Sequence, residues 1–173
     1  MSLKETQIIE TIVPPRIPDF WMIGGQKKWK WGIENHDPDG SWSSDPEKIK
    51  LELYLSKHQQ GEFQFGGHEL WKEIKELPWP KRPPNMNFMH YLIANPRRIP
   101  DSWKSEAVFF WGTILRHPFA GDLCVPFLYF DEGHDENHGH EPGHGHWCCF
   151  YYFLNNRFGV KHPAAIITGT SGE

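Results

Sequence analysis

Cysteine is scarce in this chain, which has only Cys124, Cys148 and Cys149, two of them adjacent. An odd number with two neighbours is a poor disulfide framework, so we expect free thiols buried as small apolar side chains in a reducing compartment. Long apolar runs are also missing, since no stretch approaches the roughly 18 consecutive apolar residues of a membrane span. The first residues, Met1 to Glu5, are polar rather than typical of a signal peptide. The sequence therefore predicts a cytoplasmic protein with no membrane partner.

Known catalytic motifs are absent as well. There is no G-x-S-x-G nucleophile elbow, no P-loop, no G-x-G-x-x-G after a strand and no H-E-x-x-H. The formal charge of −4 gives no general attraction to nucleic-acid phosphates, which disfavours a nucleic-acid partner. We therefore expect a non-enzymatic binding or interaction protein, with a protein partner left open. The alternative is a metal-dependent enzyme or metal handler that uses the histidine-rich segment at 131–146, and an active site that the fold assembles from separated residues also stays open.

Aromatic residues are abundant, at 15% of the chain with 9 Trp, and such residues favour strands. With 173 residues the chain is long enough to bury a sizeable core. Pro14, Pro15 and Pro18 interrupt regular structure near the start. We therefore predict an N-terminal arm at residues 1–20 and a single α+β domain at residues 21–173.

The first half of that domain shows both strand and helix patterns. Strict alternation in Lys28–Ile33 predicts a strand with Trp29, Trp31 and Ile33 on one buried face, ended by turn residues at 35–40. Alternation also favours a strand from Ile49 to Leu55, although Asp45-Pro46 resembles a helix start, and a further strand could follow around 62–65. Helical spacing of apolar residues predicts helices over 70–77 and 88–94. The proline-rich segment 78–84 between them predicts an extended connector and a lobe boundary.

The second half is typical of a β-meander. Runs rich in β-branched and aromatic residues predict neighbouring antiparallel strands at 108–115, 123–130 and 147–154. Pro126 cannot donate a ladder hydrogen bond, so we expect it at a sheet edge or a bulge. Together these patterns predict an α+β fold with an antiparallel sheet of about five strands and two or three packed helices.

About half of the chain resembles a group of small uncharacterised bacterial proteins associated with uncultured candidate lineages. The resemblance lies in Ile99-Pro100-Asp101-Ser102-Trp103-Lys104, Phe109-Phe110-Trp111-Gly112-Thr113-Ile114, Gly121-Asp122-Leu123-Cys124-Val125, Trp147 and Pro163-Ala164-Ala165. These stretches are aromatic strands and turns, and the group has no known function. The resemblance therefore implies no catalytic or binding residue.

The strongest chemical signal is a histidine-rich segment at 131–146, which we predict to be the hairpin loop before the last strand of the meander. Five of the 11 histidines lie at residues 133–146 with three carboxylates, and this is a donor set that zinc, nickel and copper favour. Two His-x-His pairs, His138/His140 and His144/His146, place imidazoles on one side of an extended backbone, so these four residues are the predicted metal ligands, for zinc or nickel. Cys148 or Cys149 could add a thiolate, but alternation in a strand lets only one of them face the loop's side. The simplest interpretation is a solvated loop with weak, incidental chelation, and a defined transition-metal site and a pH-responsive element are the alternatives.

Three weaker patterns have simpler explanations. Trp29 and Trp31 among lysines could form a platform for single-stranded nucleic acid or carbohydrate, but an ordinary strand with core tryptophans also fits. Pro80-Lys81-Arg82-Pro83 matches P-x-x-P, although a connector is the simpler interpretation. The acidic residues at 37–45 lack the bidentate glutamate of a calcium loop, so we interpret them as a turn.

Overall fold

The structure is a computed structural model that describes residues 31–37, 49–60, 64–78, 81–132 and 145–170. The fold is α+β, as predicted: a mostly antiparallel, curled sheet of seven strands in the form of a half-barrel, with two helices. The strands are β1 (Gly32–His36), β2 (Ile49–Tyr54), β3 (Phe65–Gly66), β4 (Val108–Phe109), β5 (Thr113–Arg116), β6 (Leu123–Asp131), β7 (His146–Phe153), β8 (Arg157–Phe158) and β9 (Ala164–Thr170). The helices are α1 (Gly67–Lys75) and α2 (Met86–Ala94), and short 3₁₀ turns cover Lys57–Gln59, Pro96–Arg98 and Asp101–Trp103.

The main sheet branches at β6. Its strands follow the order β1-β5-β6-β4-β9-β2, and β7 pairs with the other edge of β6. Neighbouring strands are antiparallel except β4 and β9, which are parallel. The short strands β3 and β8 form a separate two-stranded sheet. The sheet exceeds the predicted five strands partly because β9, a run of alanine, isoleucine and threonine, was not predicted from the sequence.

The prediction of one continuous strand over 108–115 is wrong, because the structure divides this segment into β4 and β5. The Phe110 amide donates a hydrogen bond to the Pro126 carbonyl at 2.9 Å, but Pro126 has no amide to donate in return. The Phe110 carbonyl instead accepts from the Thr113 amide at 3.4 Å, which closes a turn. Pro126 therefore lies opposite a break in the ladder, inside the sheet rather than at its edge.

The prediction of one buried face over Lys28–Ile33 is also wrong for its last residue. Trp31 is buried and packs edge-on against His117 and Tyr151, but Ile33 is 47% exposed. Strand β1 begins at Gly32 and ends at His36, inside the predicted turn. Its pairing with β5 shifts register between Ile33 and Asn35. Such a bulge interrupts the alternation on which the prediction depended. Residues 28–30, including Trp29, lie outside the described residues.

The other strand predictions have mixed outcomes. The prediction for 49–55 is confirmed, since β2 pairs with β9 as an edge strand of the described sheet. Of the strand expected around 62–65, the described residues show Phe65–Gly66, which pairs with β8 rather than with β2, and residues 62 and 63 lie outside the described residues. The hairpin of β6 and β7 confirms the last two strands of the predicted meander.

The two helices cover opposite faces of the sheet. Helix α1 buries Leu70 and Ile74 in a cluster with Phe109, whereas α2 packs into a second cluster that contains Phe110. Because Phe109 and Phe110 are consecutive, the sheet has a buried core on both sides, which accounts for its continuous apolar runs. Helix α2 begins earlier than predicted because the Asn85 side chain caps it, accepting a hydrogen bond from the Phe88 amide at 3.2 Å.

The three cysteines are free thiols, as predicted. Within the described part of the chain, no helix is long and apolar enough to span a membrane. The connector carries no helix in its described residues, and Arg82 pairs through its backbone with Ile167. The N-terminal arm lies outside the described residues, and the lobe boundary stays a prediction.

Candidate metal centre

The candidate site lies at the loop end of the hairpin formed by β6 and β7. These strands pair without a register shift from Cys124 and Phe153 to Asp131 and His146. In that register Asp131 lies directly opposite His146, and Tyr129 lies opposite Cys148. Side chains two residues apart in a strand point to the same face, so these four side chains form one patch.

The two adjacent cysteines lie on opposite faces of β7. Cys149 pairs with Leu128, and both are buried in the cluster under α2. Cys148 is half-buried and faces the same side as Asp131 and His146. The sequence prediction that only one thiol can face the loop's side is therefore confirmed, and that thiol belongs to Cys148.

Three potential ligand atoms converge in this patch. A carboxylate oxygen of Asp131, a ring nitrogen of His146 and Sγ of Cys148 all lie within 4.8 Å of one another. All three residues are half-buried, so an ion could reach them from solvent and still be partly shielded. We call Asp131, His146 and Cys148 the hairpin site.

Tyr129 supports the thiol of this site. Burial raises the pKa of Tyr129, and the charge of the Cys148 thiolate and a hydrogen bond from the Tyr129 hydroxyl to that sulfur raise it further, to about 12. Burial also raises the pKa of Cys148, while the Tyr129 hydroxyl opposes that shift by stabilising the thiolate. The negative charge of Asp131 raises the pKa of Cys148 further. The arrangement favours a protonated thiol in the absence of a cation, and a bound metal ion would reverse that preference.

The donor set suits a borderline-soft divalent metal. Thiolate, imidazole and carboxylate are all zinc ligands, at about 2.0–2.3 Å from the ion. A tetrahedral ion at those bond lengths would bring the ligand atoms to about 3.5 Å from one another. Since the ligand atoms lie within 4.8 Å of one another, they would have to approach by at most about 1.3 Å to bind such an ion. Magnesium and calcium prefer oxygen ligands alone and fit this set poorly.

Of the four predicted metal ligands, the structure describes one. His146 begins β7 and is part of the hairpin site, whereas His138, His140 and His144 lie outside the described residues. Cys148 was predicted only as a supplementary ligand, and Asp131 was not predicted at all. The spacing His146-x-Cys148 in a strand was the available signal for the thiol. Asp131 could be found only from the hairpin register, which the sequence does not fix because the loop is long.

A cavity of about 730 Å³ adjoins the site. His146 lines it, together with the aromatic rings of Phe130 and Trp147 and the cationic side chains of Arg97 and Lys104. Lys104 lies 4.9 Å from the centre of the Phe130 ring and forms an ion pair with Asp101 at 2.8 Å. His146 thus borders a space large enough for a small molecule, while Phe130 and Trp147 alternate with the ligand residues along β6 and β7 and belong to the other face of the hairpin.

The stacking platform, which was the alternative interpretation of the tryptophans near the N-terminus, is not available at Trp31. That ring is only 6% exposed and is part of the core under α2, so bases or sugars cannot stack on it. Trp29 and the lysines at 27, 28 and 30 lie outside the described residues, as do Pro80 of the P-x-x-P pattern and most of the acidic turn.

Comparisons with known proteins assign no family to this chain. No protein-family model, curated protein or solved structure matches it. The resemblance to small bacterial proteins therefore stays a prediction. The chemistry of the hairpin site is the observation that bears most directly on function.

Proposed function

We propose that this protein binds a transition-metal ion, zinc or nickel, at the hairpin site. The observation that carries the proposal is the convergence of the Asp131, His146 and Cys148 ligand atoms within 4.8 Å. On this account the protein is a metal-binding protein whose aromatic body is a rigid scaffold, rather than an enzyme.

The charges of the ligands support a divalent ion. A thiolate at Cys148 and the carboxylate of Asp131 together carry two negative charges, while His146 coordinates as the neutral ring. An ion of charge +2 would make the centre neutral, which matters because its ligands are half-buried and unbalanced charge there is costly.

The position of the site on strands also supports the proposal. A metal site needs ligands held in place by their surroundings, and a glycine-rich loop supplies little such support. Asp131, His146 and Cys148 instead belong to a paired ladder, and Tyr129 adds a hydrogen bond to the thiol. The histidine-rich loop need not form the centre by itself.

A tetrahedral ion would have one further coordination position. Water or one of the loop residues His138, His140 and His144 would fill it. Three protein ligands with one open position is the arrangement of many catalytic zinc sites, whereas structural sites usually have four protein ligands.

The experiment is calorimetric titration of the full chain, purified without an affinity tag, with zinc and with nickel. Cys148→Ala and His146→Ala should each weaken binding by at least about tenfold, because each removes a ligand. Cys149→Ala is the matched control, since it removes the neighbouring thiol from the opposite face and should leave affinity unchanged. Equal binding by Cys148→Ala and wild type, or no binding by wild type near micromolar metal, would reject the proposal.

A metal-dependent enzyme is the second candidate, favoured by the cavity that His146 lines. The cations Arg97 and Lys104 at that cavity would suit a substrate with an anionic group. In that case the zinc-loaded protein should hydrolyse p-nitrophenyl phosphate or p-nitrophenyl acetate faster than free zinc does, and Cys148→Ala should abolish the difference. No turnover above free zinc with either ester would count against this candidate.

A further inference from the structure

A second cavity lies on a different part of the molecule and shares no residue with the hairpin site. Its volume is about 530 Å³, within the range of small-molecule sites. It lies between the end of β1, the end of α1, the connector and the turn that separates β4 from β5. We call it the Trp111 cavity, and its polar and aromatic lining includes His36, Asp37, Lys75, Lys81, Arg82 and Trp111.

Trp111 supplies a hydrogen-bond donor that the protein does not use. The side chain is 1% exposed, and its indole Nε1–H has no hydrogen-bond partner among the described residues. The ring packs against Phe158 and Phe109, with ring centres 5.2 Å and 6.4 Å away, so the core fixes its orientation. A buried donor without an acceptor is unfavourable and needs an explanation, and a ligand that supplies the acceptor is one.

The charged residues around the cavity indicate the sign of such a ligand. Lys75, Lys81 and Arg82 contribute three positive charges, and Asp37 contributes one negative charge. Lys75 is held in place because its Nζ lies 4.2 Å from the centre of the Trp71 ring. The local excess of two positive charges contrasts with the formal charge of −4 for the whole chain. An anion would be attracted here although the protein as a whole repels it.

The wall of the cavity formed by the end of β1 is held by hydrogen bonds. His36 Nδ1 lies 2.8 Å from the hydroxyl of Thr113, which also accepts a hydrogen bond from the Met86 amide at 3.0 Å. The Asn85 side chain donates to the carbonyl of Asp37 at 2.8 Å. These bonds fix the end of β1 against α2, whereas Trp111 Nε1 has less than 1 Å² exposed and becomes accessible to a ligand oxygen only when the side chains around it shift.

We propose that the Trp111 cavity binds a small oxyanion, a phosphate or carboxylate group of a small metabolite. One oxygen accepts the hydrogen bond from Trp111 Nε1–H, and the negative charge faces Lys81 and Arg82. This binding is independent of the metal at the hairpin site.

The test is the ¹H–¹⁵N spectrum of the tryptophan indole groups of the full chain, titrated with inorganic phosphate and, separately, with citrate. Trp111→Phe identifies the Trp111 resonance. That resonance should move in a saturable way with at least one of the two anions and should stay in place with sodium chloride of equal ionic strength. A response to phosphate alone would indicate a phosphate ligand, and a response to citrate alone a carboxylate.

Two variants of the cationic residues keep the test decisive even if Trp111→Phe is unstable. Lys81→Glu and Arg82→Gln should each weaken anion binding by about tenfold, the loss expected for one charged hydrogen bond. Lys72→Glu, on the exposed face of α1 away from the cavity, is the matched control and should leave binding unchanged. The proposal is overturned if no anion moves the resonance, if chloride moves it equally, or if Lys81→Glu and Arg82→Gln bind as wild type does.

Discussion

The Phe110 amide donates to the Pro126 carbonyl at 2.9 Å, and this single hydrogen bond marks the place where β4 ends inside the sheet. Pro126 cannot return the bond, so the chain leaves the ladder and turns through Trp111 and Gly112 before β5 begins. The turn brings Gly112 against the backbone that precedes α2. Its amide donates to the Pro84 carbonyl at 3.1 Å.

The first prediction concerns that close approach. A Cβ on Gly112 would lie 2.7–2.8 Å from backbone atoms of Pro83, Pro84 and Asn85, which cannot move aside as a side chain would. We expect Gly112→Ala to lower the free energy of unfolding by about 1–3 kcal/mol, measured by urea denaturation. Gly159→Ala is the control, because its Cβ would meet nothing nearer than 4.0 Å. Equal stability of the Gly112 variant and wild type would contradict the packing described for this turn.

The sequence predicts regular elements well where the chain follows one periodicity from end to end. The alternation in β2, the helical spacing of Leu70 and Ile74, and the apolar runs of β6 and β7 all appear as predicted. The break between β4 and β5 could not be predicted, because it depends on Pro126 lying beside Phe110 in the folded sheet. The exposure of Ile33 likewise results from a bulge, which is a property of strand pairing rather than of the local sequence.

The candidate site was partly predictable for the same reason. His146 and Cys148 are two residues apart, and their shared face follows from the strand period. Asp131 belongs to the site because the pairing of β6 with β7 places it opposite His146. The sequence does not determine that pairing, because the loop between the two strands is long. The donor in the Trp111 cavity could not be predicted, since an unpaired indole N–H is recognisable only once its neighbours are known.

The second prediction concerns stability at mildly acidic pH. His162 packs among the rings of Phe109, Tyr152 and Phe158, and its Nδ1 accepts a hydrogen bond from the Gly159 amide at 3.1 Å. Burial lowers the pKa of His162 below 6.5, with Glu106 opposing the shift. The folded state therefore disfavours the protonated ring, so its contribution to stability is complete above pH 6.5 and is lost as the pH falls through the lowered pKa.

Urea denaturation about one pH unit above and one below 6.5 measures this contribution. The loss of stability at the lower pH should be smaller in His162→Asn than in wild type, because the titrating group has been removed. The exposed His68→Gln variant is the control and should lose as much stability as wild type does. An identical pH dependence in His162→Asn and wild type would count against a role for His162.

The third prediction concerns the hydroxyl that supports the thiol of the hairpin site. Tyr129→Phe removes the hydrogen bond to Cys148 and retains the ring, so we expect zinc affinity to fall by about tenfold with no change in stability of the hairpin. Tyr152→Phe is the matched control. Tyr152 pairs with Val125, and its side chain lies on the same face of β7 as Cys148, four residues further along the strand. The zinc affinity of this variant, measured by competition with a chromophoric chelator, should match that of wild type. Equal losses in both variants would show that the Tyr129 hydrogen bond has no specific effect.

The fourth prediction separates the hairpin site from the histidine-rich loop. We would replace residues 133–144 by Asn-Gly, which retains Asp131, His146 and Cys148 and favours a tight turn. The shorter loop should leave the free energy of unfolding unchanged or raise it by about 1 kcal/mol, because closing it costs less entropy. Zinc binding should be weakened but not abolished. A variant that folds but binds no zinc would place the metal in the loop rather than at the hairpin site.

The most direct test of the metal centre is the absorption spectrum of the cobalt-loaded protein, since Co²⁺ replaces zinc with similar geometry and reports its ligands. The full chain without an affinity tag is compared with Cys148→Ala and Cys149→Ala. If Cys148 is a ligand, wild type and Cys149→Ala will both show a near-ultraviolet charge-transfer band from thiolate to cobalt. Both will also show the intense visible bands of four-coordinate cobalt. Cys148→Ala will lack the charge-transfer band. A wild-type spectrum without that band, or a band that persists in Cys148→Ala, would contradict the hairpin site as the metal centre.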